Sequence, residues 1–576
     1  MDEKTSIDTI DFEESQHAAN TAKRVAAYAD RIINHASIVS EKEYQKFLLE
    51  RLEKDNGYVI RKASNFDRYF AVDREMLFKF LNDTQPETMD YLRKIYKADL
   101  EETIVSFINA ETTKARGSLI EVLKHGIELS NQKLELMYTK PATTFNPDLT
   151  KKYGQNIFSV MEEVWASDKE RVDVVIFLNG LAIMSFELKC NAAGQSYQDA
   201  IYQFRTDRNP KTRLFMFKAG TLVNFAMDLE EVYMTTKLDG DATFFLPFNM
   251  GNGEGVTAGA GNPIFEDKYS VSYMWEDILT KDTVLDLISK FIFIEVKEKV
   301  DEQTGKVKRS ENLIFPRYHQ LDVIRKTLAD VRENGTAQNY LIQHSAGSGK
   351  TNSIAWLAHR LVSLHDANNK IIFNNVIIVT DRVVVDRQLQ KAIMGMEHKA
   401  GLIRVMDDKC NSADLAIALN GNTKIIATTI QKFPYIVDSV SGLKEKRFAV
   451  IIDEAHSSTA GKDMAAVTMA LGSGEEVDAD VEDMMELEKF VNENPFTSNI
   501  SKEVEVILKE LAKARRGAVL FENVAALIAT RKDEKDEELQ TRQGQNQSNL
   551  QNRRKLMQHL HEYVKYSRSF AEQKVK

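Results

Sequence analysis

The chain has 576 residues, of which 43% are hydrophobic and 28% are charged, and its formal net charge is −10. This length is too great for one hydrophobic core and predicts about three or four domains. The sequence contains no apolar run of about 18 residues, which argues against a membrane-spanning helix. The acidic, polar N-terminus lacks the basic and apolar segments of a secretory signal. We therefore expect a cytoplasmic protein without a membrane partner.

The two cysteines, Cys190 and Cys410, lie far apart and lack the spacing of metal ligands. This usage is typical of a reducing compartment and argues against a disulfide framework or a zinc site. The negative net charge does not indicate a nucleic-acid-binding protein, but a large acidic chain can carry a local basic groove. Composition alone leaves the function open.

In chain order, the region up to about residue 140 predicts mostly helices, and 41–58 has clear helical spacing of its apolar residues. Two apolar runs follow, at 172–180 and 181–189. They flank Asn179-Gly180, a dipeptide that favours a type I′ β-hairpin turn. The sequence therefore predicts two adjacent antiparallel strands here.

Residues 214–227 predict two more strands after a helical stretch around Gln198. The glycine-rich segment 251–263 has no strand directly before it and no helix start after it. These flanks favour a surface loop over the alternative, a nucleotide site.

The predicted hairpin places three chemically useful side chains together. Asp173 lies at the start of one strand, and Glu187 and Lys189 lie at the end of the next. Glu187 and Lys189 share a face because strand side chains repeat every second residue. Two carboxylates can hold Mg²⁺, which polarises a scissile phosphate, and the lysine can orient the attacking water or stabilise the developing charge. An isolated Asp with a Glu-X-Lys is common by chance. However, charged residues at the end of an apolar run are costly to bury for a purely structural purpose, which favours a functional role.

A helix after this hairpin carries Gln198 and Tyr202 on one face. The arrangement Asp…Glu-X-Lys…Gln-X-X-X-Tyr resembles the PD-(D/E)xK nucleases of the RecB-like branch, in which the Gln and Tyr support the site and the DNA. Val172 stands where those nucleases usually have a proline. Glu43, on the early helix, is a candidate for the additional upstream acid of such nucleases, although a surface helix charge is the favoured interpretation.

The polar, charged segment 295–312 predicts a connector between domains. Beyond it, strand-like runs alternate with helix-length segments, which predicts a parallel α/β sheet. These runs lie at 340–343, 376–380, 424–429 and 448–453.

A phosphate-binding loop is predicted at 344–351, since His-Ser-Ala-Gly-Ser-Gly-Lys-Thr follows a predicted strand and opens a helix. Its backbone N–H groups can hold ATP phosphates, Lys350 can reach the β- and γ-phosphates, and the Thr351 hydroxyl can ligate Mg²⁺. The alternative, a glycine turn before an ordinary helix, does not explain this context. The remaining candidate residues of the loop are Gly347, Ser348 and Gly349.

A second candidate element for ATP binding is Asp-Glu-Ala-His at 453–456, which lies at the end of an apolar predicted strand. Asp453 is predicted to hold Mg²⁺ and Glu454 to orient or deprotonate the attacking water. His456 is predicted to couple the ATP site to DNA, with a cap on the strand end as the alternative. Upstream of the phosphate loop, Gln320 occupies the position at which superfamily 2 helicase-like motors read adenine.

A RecB-like nuclease followed by such a motor resembles the restriction (R) subunits of type I restriction enzymes. Segments 380–382 and 428–431 resemble the strand-end motifs of the motor, and further familiar stretches lie at 222–238, 245–252 and 273–279. The resemblance covers roughly residues 40 to 470. It implies cleavage of unmethylated double-stranded DNA with ATP and Mg²⁺ as cofactors, and methylation and specificity subunits as partners.

With this resemblance the predicted fold class is α/β. A PD-(D/E)xK restriction-endonuclease-like domain precedes a RecA-like, superfamily 2 helicase parallel-sheet domain, and a helical tail follows. The predicted boundaries are a nuclease domain with a helical N-terminal part at 1–294, a linker at 295–312, the first motor domain at 313–520 and a helical or partly disordered tail at 521–576.

The sequence departs from the family after the Asp-Glu-Ala-His element, because the expected third motor motif and second RecA-like lobe are not found. This predicts ATP binding with impaired hydrolysis unless the second lobe comes from elsewhere. Two alternatives stay open. One is a stand-alone Mg²⁺ nuclease with an ATP-binding regulatory lobe, and the other is an inactive DNA-binding assembly component.

Overall fold

The structure is a computed structural model, and the residues that it describes fall into two compact units. The first unit holds most of the described chain, up to Ile377, with 387–396, 402–403 and 447–451. The second holds 378–380, 404–446 and 452–453, apart from the gaps within them. The described ranges are 38–143, 145–253, 259–300, 307–336, 339–344, 347–380, 387–396, 402–406, 410–429, 432 and 446–453.

Strands and helices alternate irregularly in the first three hundred or so residues. The strands are β1 Val59–Arg61, β2 Phe66–Asp67, β3 Val72–Asp73, β4 Ile127–Leu129, β5 Gln132–Leu134, β6 Phe158–Trp165, β7 Arg171–Leu178, β8 Leu181–Leu188, β9 Val223–Met227, β10 Val232–Thr235, β11 Leu246–Pro247, β12 Phe293–Val300 and β13 Val307–Ile314. The helices are α1 Glu41–Lys54, α2 Arg74–Thr84, α3 Pro86–Tyr96, α4 Leu100–Thr113, α5 Leu119–His125, α6 Pro147–Gly154, α7 Tyr197–Thr206 and α8 Lys281–Asp286, with π-helical turns at Met274–Ile278 and Leu287–Phe291.

One large sheet organises this region, with the strand order β1-β6-β7-β8-β9-β10-β11 and the short β2–β3 ribbon joined to β8. Strands β6, β7 and β8 are antiparallel neighbours, whereas β9 runs parallel to β8. Nearly every side chain of β7 and all those of β8 are buried, which explains their continuous apolar runs. The hydrophobic core beside the sheet includes Met161, Phe177 and Phe204.

The predicted hairpin turn is confirmed between β7 and β8. Both turn residues have positive φ, +49° at Asn179 and +80° at Gly180, as a type I′ turn requires. A Cβ on Gly180 would lie 2.4 Å from the carbonyl oxygen of Asp73, so glycine is needed for space as well. The Asn179 side chain accepts a hydrogen bond from Ile157 N and donates one to Leu136 O. These hydrogen bonds fix the turn to neighbouring segments of the same chain.

The predicted early helix is also confirmed. Ser40 caps α1 by accepting a hydrogen bond from Glu43 N, and Tyr44, Leu48 and Leu52 form its buried face. The expectation of two strands within 214–227 is only half right, because the structure has turns before β9. There, backbone hydrogen bonds such as Gly220 N to Met216 O close tight turns in place of a strand ladder.

The segment predicted as a connector, 295–312, holds most of an antiparallel pair of strands, β12 and β13. An exposed two-stranded ribbon can be rich in charged residues because water solvates both of its edges. Phe293 and Leu313 are buried and anchor the base of the ribbon. Glu311 on β13 forms an ion pair with Lys218, which lies in the turns before β9. The domain boundaries themselves stay predictions.

The later region alternates helices and strands, as predicted for an α/β domain. Its helices are α9 Tyr318–Asn334, α10 Lys350–Val362, α11 Arg387–Gly395 and α12 Ser412–Asn420. The strands β14 Asn375–Thr380, β15 Ile403–Val405, β16 Ile425–Thr429 and β17 Phe448–Ile452 belong to one sheet, in the order β15-β16-β14-β17.

The strand predicted at 340–343 is not a strand in the structure, where this segment lacks ladder pairing. The apolar side chain of Leu341 is 87% exposed and therefore is not part of a buried strand. The other three predicted strands of the sheet are confirmed as β14, β16 and β17. Among the helices that the structure describes, none has the length and hydropathy to cross a lipid bilayer.

Candidate functional sites

The sheet brings the predicted nuclease residues together. Asp173 on β7 and Glu187 on β8 lie one residue beyond the registered pair Val174↔Phe186. The Leu188 N–H donates to Asp173 Oδ2 over 2.7 Å, which ties the two strands at this level. Lys189 Nζ lies 4.0 Å from the same carboxylate oxygen. All three charged side chains are buried, which is unusual for such groups and is typical of a functional centre.

The upstream acid at this centre is Glu41, and not Glu43. Lys189 Nζ donates to Glu41 Oε2 over 2.9 Å, and also to its neighbouring carbonyl at Leu188. Glu43 is exposed and accepts a hydrogen bond from Val39 N, as expected of a charge at a helix start. The first residue of α1 therefore holds the lysine. No local sequence signal links a residue 148 positions away to this lysine.

Arg208 is the second residue that the sequence did not reveal. Its guanidinium donates to Glu187 Oε1 over 2.7 Å and to the carbonyl oxygen of Arg171 over 2.8 Å. Both Arg208 and Glu187 are buried, so the arginine fixes the carboxylate and compensates its charge. Arg208 belongs to no motif and follows Glu187 by 21 residues, which left no signal in the sequence.

Burial dominates the electrostatics of the carboxylate pair. Desolvation raises the pKa of Asp173 to about 6, an effect that nearby Lys189 opposes and Glu41 reinforces. Desolvation, followed by repulsion from Asp173, raises the pKa of Glu187 well above its ordinary value, although Arg208 opposes both. The centre therefore retains protons more readily than exposed carboxylates do, and a divalent cation would relieve this repulsion.

The residues fit a magnesium ion. Glu187 Oε2 is buried and receives no hydrogen bond within the part of the chain that the structure describes, which leaves an oxygen ligand without a donor. Among the described residues, no three or more His, Cys, Asp or Glu side chains are grouped closely enough to enclose a metal ion. Mg²⁺ commonly uses only one or two carboxylates, with water and substrate phosphate completing its shell. Asp173 and Glu187 provide that set.

Gln198 and Tyr202 lie on α7, outside the buried carboxylate cluster. A capping box formed by Ser196 and Asp199 begins this helix, and Tyr197 N donates to Asp228 Oδ2. Gln198 is exposed and Tyr202 is 67% exposed. Their position suits contact with a molecule outside the protein better than support of the carboxylates.

The predicted phosphate loop has the backbone geometry of an anion-binding turn. Gly347 and Gly349 have positive φ, +74° and +86°, and α10 begins at Lys350, followed by Thr351. The Ser348 hydroxyl is buried without a hydrogen-bond partner among the described residues. The N–H groups at a helix start, together with this hydroxyl, fit a bound phosphate group.

The segment at the start of α9 braces this loop. Gln320 is buried, and its amide donates to Gly349 O over 2.9 Å and accepts from Arg317 N over 2.9 Å. His319 Nε2 lies 3.0 Å from Ser348 O, and its ring contacts that of His344 edge to face. Burial lowers the pKa of both imidazoles, which favours their neutral forms beside the loop. Adenine recognition by Gln320 stays a prediction.

The remaining motor residues are described only in part. Asp453 follows β17, and its N–H donates to Val379 O over 2.9 Å. Thr380 and Thr428, at the ends of β14 and β16, are buried. Glu454 and His456 lie outside the described residues, as do 381–382 and 430–431 of the two strand-end motifs.

Comparison with known families finds two matches, in separate parts of the chain. A family model described as the type I restriction enzyme R protein N terminus matches residues 38–243. A second model, described as the SWI2/SNF2 ATPase, matches residues 319–485. The first range contains the buried carboxylates, and the second contains the phosphate loop.

Individual relatives are also named as subunits of type I restriction enzymes. One relative is a Methanocaldococcus jannaschii protein named as the endonuclease subunit of type I restriction enzyme MjaVIIIP. The two sequences are 24% identical over 346 residues, and this match covers 54% of this chain and 30% of the relative. It is 25% identical to the type I restriction enzyme HindI endonuclease subunit of Haemophilus influenzae, over 50% of this chain and 26% of that protein. A Staphylococcus aureus relative, the SauCOLORF180P endonuclease subunit, is 25% identical over 54% of this chain and 30% of its own length. The matched part thus spans about a third or less of these relatives. In both of its matched parts, this chain is therefore similar to the R (endonuclease) subunits of type I restriction enzymes.

Proposed function

We propose that this chain cuts unmethylated double-stranded DNA with Mg²⁺, in a reaction coupled to ATP-dependent DNA translocation. One observation carries the nuclease part of the proposal. Two buried carboxylates, Asp173 and Glu187, lie beside a buried lysine, and Glu187 Oε2 has no hydrogen-bond donor among the described residues. Buried ionisable groups with perturbed pKa values are costly and are typical of functional sites.

In this proposal Asp173 and Glu187 hold Mg²⁺, and Arg208 keeps the second carboxylate in place through Oε1. When bound, Mg²⁺ supplies the positive charge that polarises the scissile phosphate. Lys189 orients the attacking water or stabilises charge on the phosphate, and Glu41 holds the lysine toward the centre. Gln198 and Tyr202 contact the DNA from the exposed face of α7.

On the motor side, the N–H groups of 347–351 and the Lys350 ammonium hold the phosphates of ATP. Thr351 and Asp453 are the proposed Mg²⁺ ligands. Glu454 would orient the attacking water, His456 would couple hydrolysis to DNA, and Gln320 would recognise adenine. The match of residues 319–485 to the SWI2/SNF2 ATPase model supports these assignments.

The proposed partners are methylation and specificity subunits of the same system. The relatives are named as endonuclease subunits of type I restriction enzymes, which supports assembly with other subunits. Recognition of the DNA sequence would then lie in those partners, and this chain would contact mainly phosphates.

The test is reconstitution of the full chain with its methylation and specificity subunits on unmethylated DNA that contains their site. With a second motor lobe supplied from elsewhere, we expect ATP turnover and cleavage, both lost in Lys350→Ala. Asp173→Ala should lose cleavage by at least about a thousandfold but keep ATP turnover. Asp148→Ala, an exposed acid in the first turn of α6, is the matched control and should cut normally.

Cleavage that persists in Asp173→Ala would contradict the nuclease assignment. Cleavage by the chain alone, without ATP or partners, would favour a stand-alone nuclease with a regulatory ATP-binding lobe.

A further inference from the structure

The turn that joins β6 to β7 is flanked by two exposed aromatic side chains, each paired with an arginine. Trp165 is 50% exposed, and the Arg171 guanidinium lies over its ring, 5.9 Å from the centroid. Tyr69 is 74% exposed, and Arg68 lies 5.5 Å from its ring centroid. We call these four residues, Arg68, Tyr69, Trp165 and Arg171, the aromatic lip.

The two halves of the lip meet at the same turn. Trp165 and Arg171 are directly paired across β6 and β7. Arg68 forms an ion pair with Asp168, which lies within the turn between them. The turn itself is closed by a hydrogen bond from Ala166 N to Glu170 O over 2.8 Å. The lip is therefore one continuous surface on a well-defined part of the backbone.

The lip is physically joined to the nuclease centre. Arg171 precedes Asp173 by two residues on β7, so both side chains project from the same face of the strand. The carbonyl oxygen of Arg171 accepts a hydrogen bond from Arg208, which also holds Glu187. A molecule seated on the lip would thus lie next to the two carboxylates.

A backbone irregularity marks the same place. Glu163 has φ +55°, and the ladder between β6 and β7 skips it, passing from Glu162↔Val174 to Val164↔Val172. The Glu163 carboxylate lies 2.7 Å from Arg171 Nε, and it raises the pKa of Asp173 slightly further. A positive φ at a residue other than glycine marks local backbone strain, which is frequent at functional sites.

Exposed aromatic rings next to arginines have a specific chemical use. Aromatic side chains stack on nucleic-acid bases, and arginines contact the neighbouring phosphates. A ring face can stack only on a base that has left the duplex, whereas intact duplex DNA offers phosphates and groove edges. Two rings placed beside a proposed cleavage site therefore match an unpaired strand better than a duplex.

We propose that the aromatic lip binds unpaired nucleotides of DNA adjoining the scissile phosphate. Trp165 and Tyr69 stack on bases, and Arg171 and Arg68 contact the backbone. The inference rests on the proposed nuclease function and adds the form of DNA that the centre receives. Strand opening next to the cut then precedes cleavage.

Tryptophan fluorescence tests this directly, because the chain has three tryptophans and only Trp165 is exposed. Trp275 and Trp356 are buried. The full chain, with Ca²⁺ in place of Mg²⁺ to prevent cutting, is titrated with oligo(dT) of about 15 nucleotides and with a duplex of the same length. We expect saturable quenching by the single strand. The anisotropy of fluorescently labelled oligo(dT), which needs no protein fluorophore, should show binding at least about tenfold weaker in Trp165→Ala and Tyr69→Ala. Phe145→Ala removes an exposed aromatic that belongs neither to the lip nor to β6 or β7, and this variant should bind normally.

Equal or stronger quenching by the duplex would overturn the proposal, as would unchanged single-strand affinity in both lip variants. The nuclease proposal fails separately. If the reconstituted complex never cuts DNA while oligo(dT) quenches Trp165, the lip stands without the nuclease. If the complex cuts DNA and both lip variants bind oligo(dT) and cut like the wild type, only the lip is refuted.

Discussion

The proposed nuclease centre and the proposed phosphate loop differ in the groups that would bind charge. The first uses buried side chains on adjoining strands, Asp173 and Glu187, each with a raised pKa. The second uses backbone N–H groups at the start of α10, in a loop shaped by two glycines with positive φ. Buried carboxylates lower the stability of the folded protein until a cation binds, whereas a helix start carries its partial charge at almost no cost. We therefore expect that removing a buried carboxylate raises the free energy of unfolding of the metal-free protein, whereas a substitution in the loop lowers it slightly.

The largest effect on stability should follow from Arg208→Ala. Removing the guanidinium leaves Glu187 buried without its main counter-charge, which typically costs about 3 to 5 kcal/mol of unfolding free energy. Urea unfolding of the metal-free full chain measures it. Arg93→Ala breaks an exposed pair with Asp90 and should cost less than about 1 kcal/mol. If the two variants lose equal stability, the nuclease centre is not the strained region that we describe.

A smaller change of opposite sign is expected for Asp173→Asn. The folded pKa of Asp173, about 6, exceeds its ordinary value of 3.8, so the metal-free native state loses stability as the pH rises from 3.8 to 6. Asparagine removes this cost, and the variant should be more stable at pH 7 by about 1 to 3 kcal/mol. Urea unfolding in EDTA at several pH values checks this.

Two controls sharpen that comparison. The gain in unfolding free energy of Asp173→Asn over the wild type should shrink as the pH falls from 6 towards 4, because the wild-type carboxyl becomes protonated there. Asp148→Asn, on the surface of α6, should leave stability nearly unchanged at every pH. A destabilised Asp173→Asn protein at pH 7 would mean that contacts with Leu188 and Lys189 outweigh the burial cost.

At the phosphate loop, Gly349→Ala should weaken nucleotide binding by about tenfold, with a small loss of stability. Its φ is +86°, and a Cβ would lie 2.5 Å from Gln320 Nε2, so the side chain that braces the loop must move. Titration with a fluorescent ATP analogue measures the affinity. Gly335→Ala is the matched control, since Gly335 has φ +77° but no atom within 4 Å of an added Cβ. Equal nucleotide affinities in the two variants would refute the role of Gln320 as a brace.

The same two sites show what the sequence could predict. Glycine spacing before a helix start and the Asn179-Gly180 turn are local signals, so the loop and the hairpin were predictable. The hairpin then placed Asp173 beside Glu187 and Lys189 by strand alternation alone. Their roles in catalysis stay predictions.

What the sequence could not supply comes from distant parts of the chain. Glu41 and Arg208 reach the centre only through the packing of α1 and the segment after α7. The predicted strand at 340–343 is wrong because apolar content does not guarantee a pairing partner. The β-ribbon within 295–312 was not predicted, because its many charged residues gave no strand signal. Tertiary context decided both cases.

Divalent-ion binding tests the central claim most directly. Mn²⁺, which replaces Mg²⁺ and gives an electron paramagnetic resonance signal, is titrated into the nucleotide-free full chain at pH 8. We predict a saturable site that is lost in Glu187→Gln and in Asp173→Asn, with circular dichroism showing both variants folded, and that is kept in Lys350→Ala. Unchanged Mn²⁺ binding in both carboxylate variants would contradict the assignment of this buried pair as the metal centre of the nuclease.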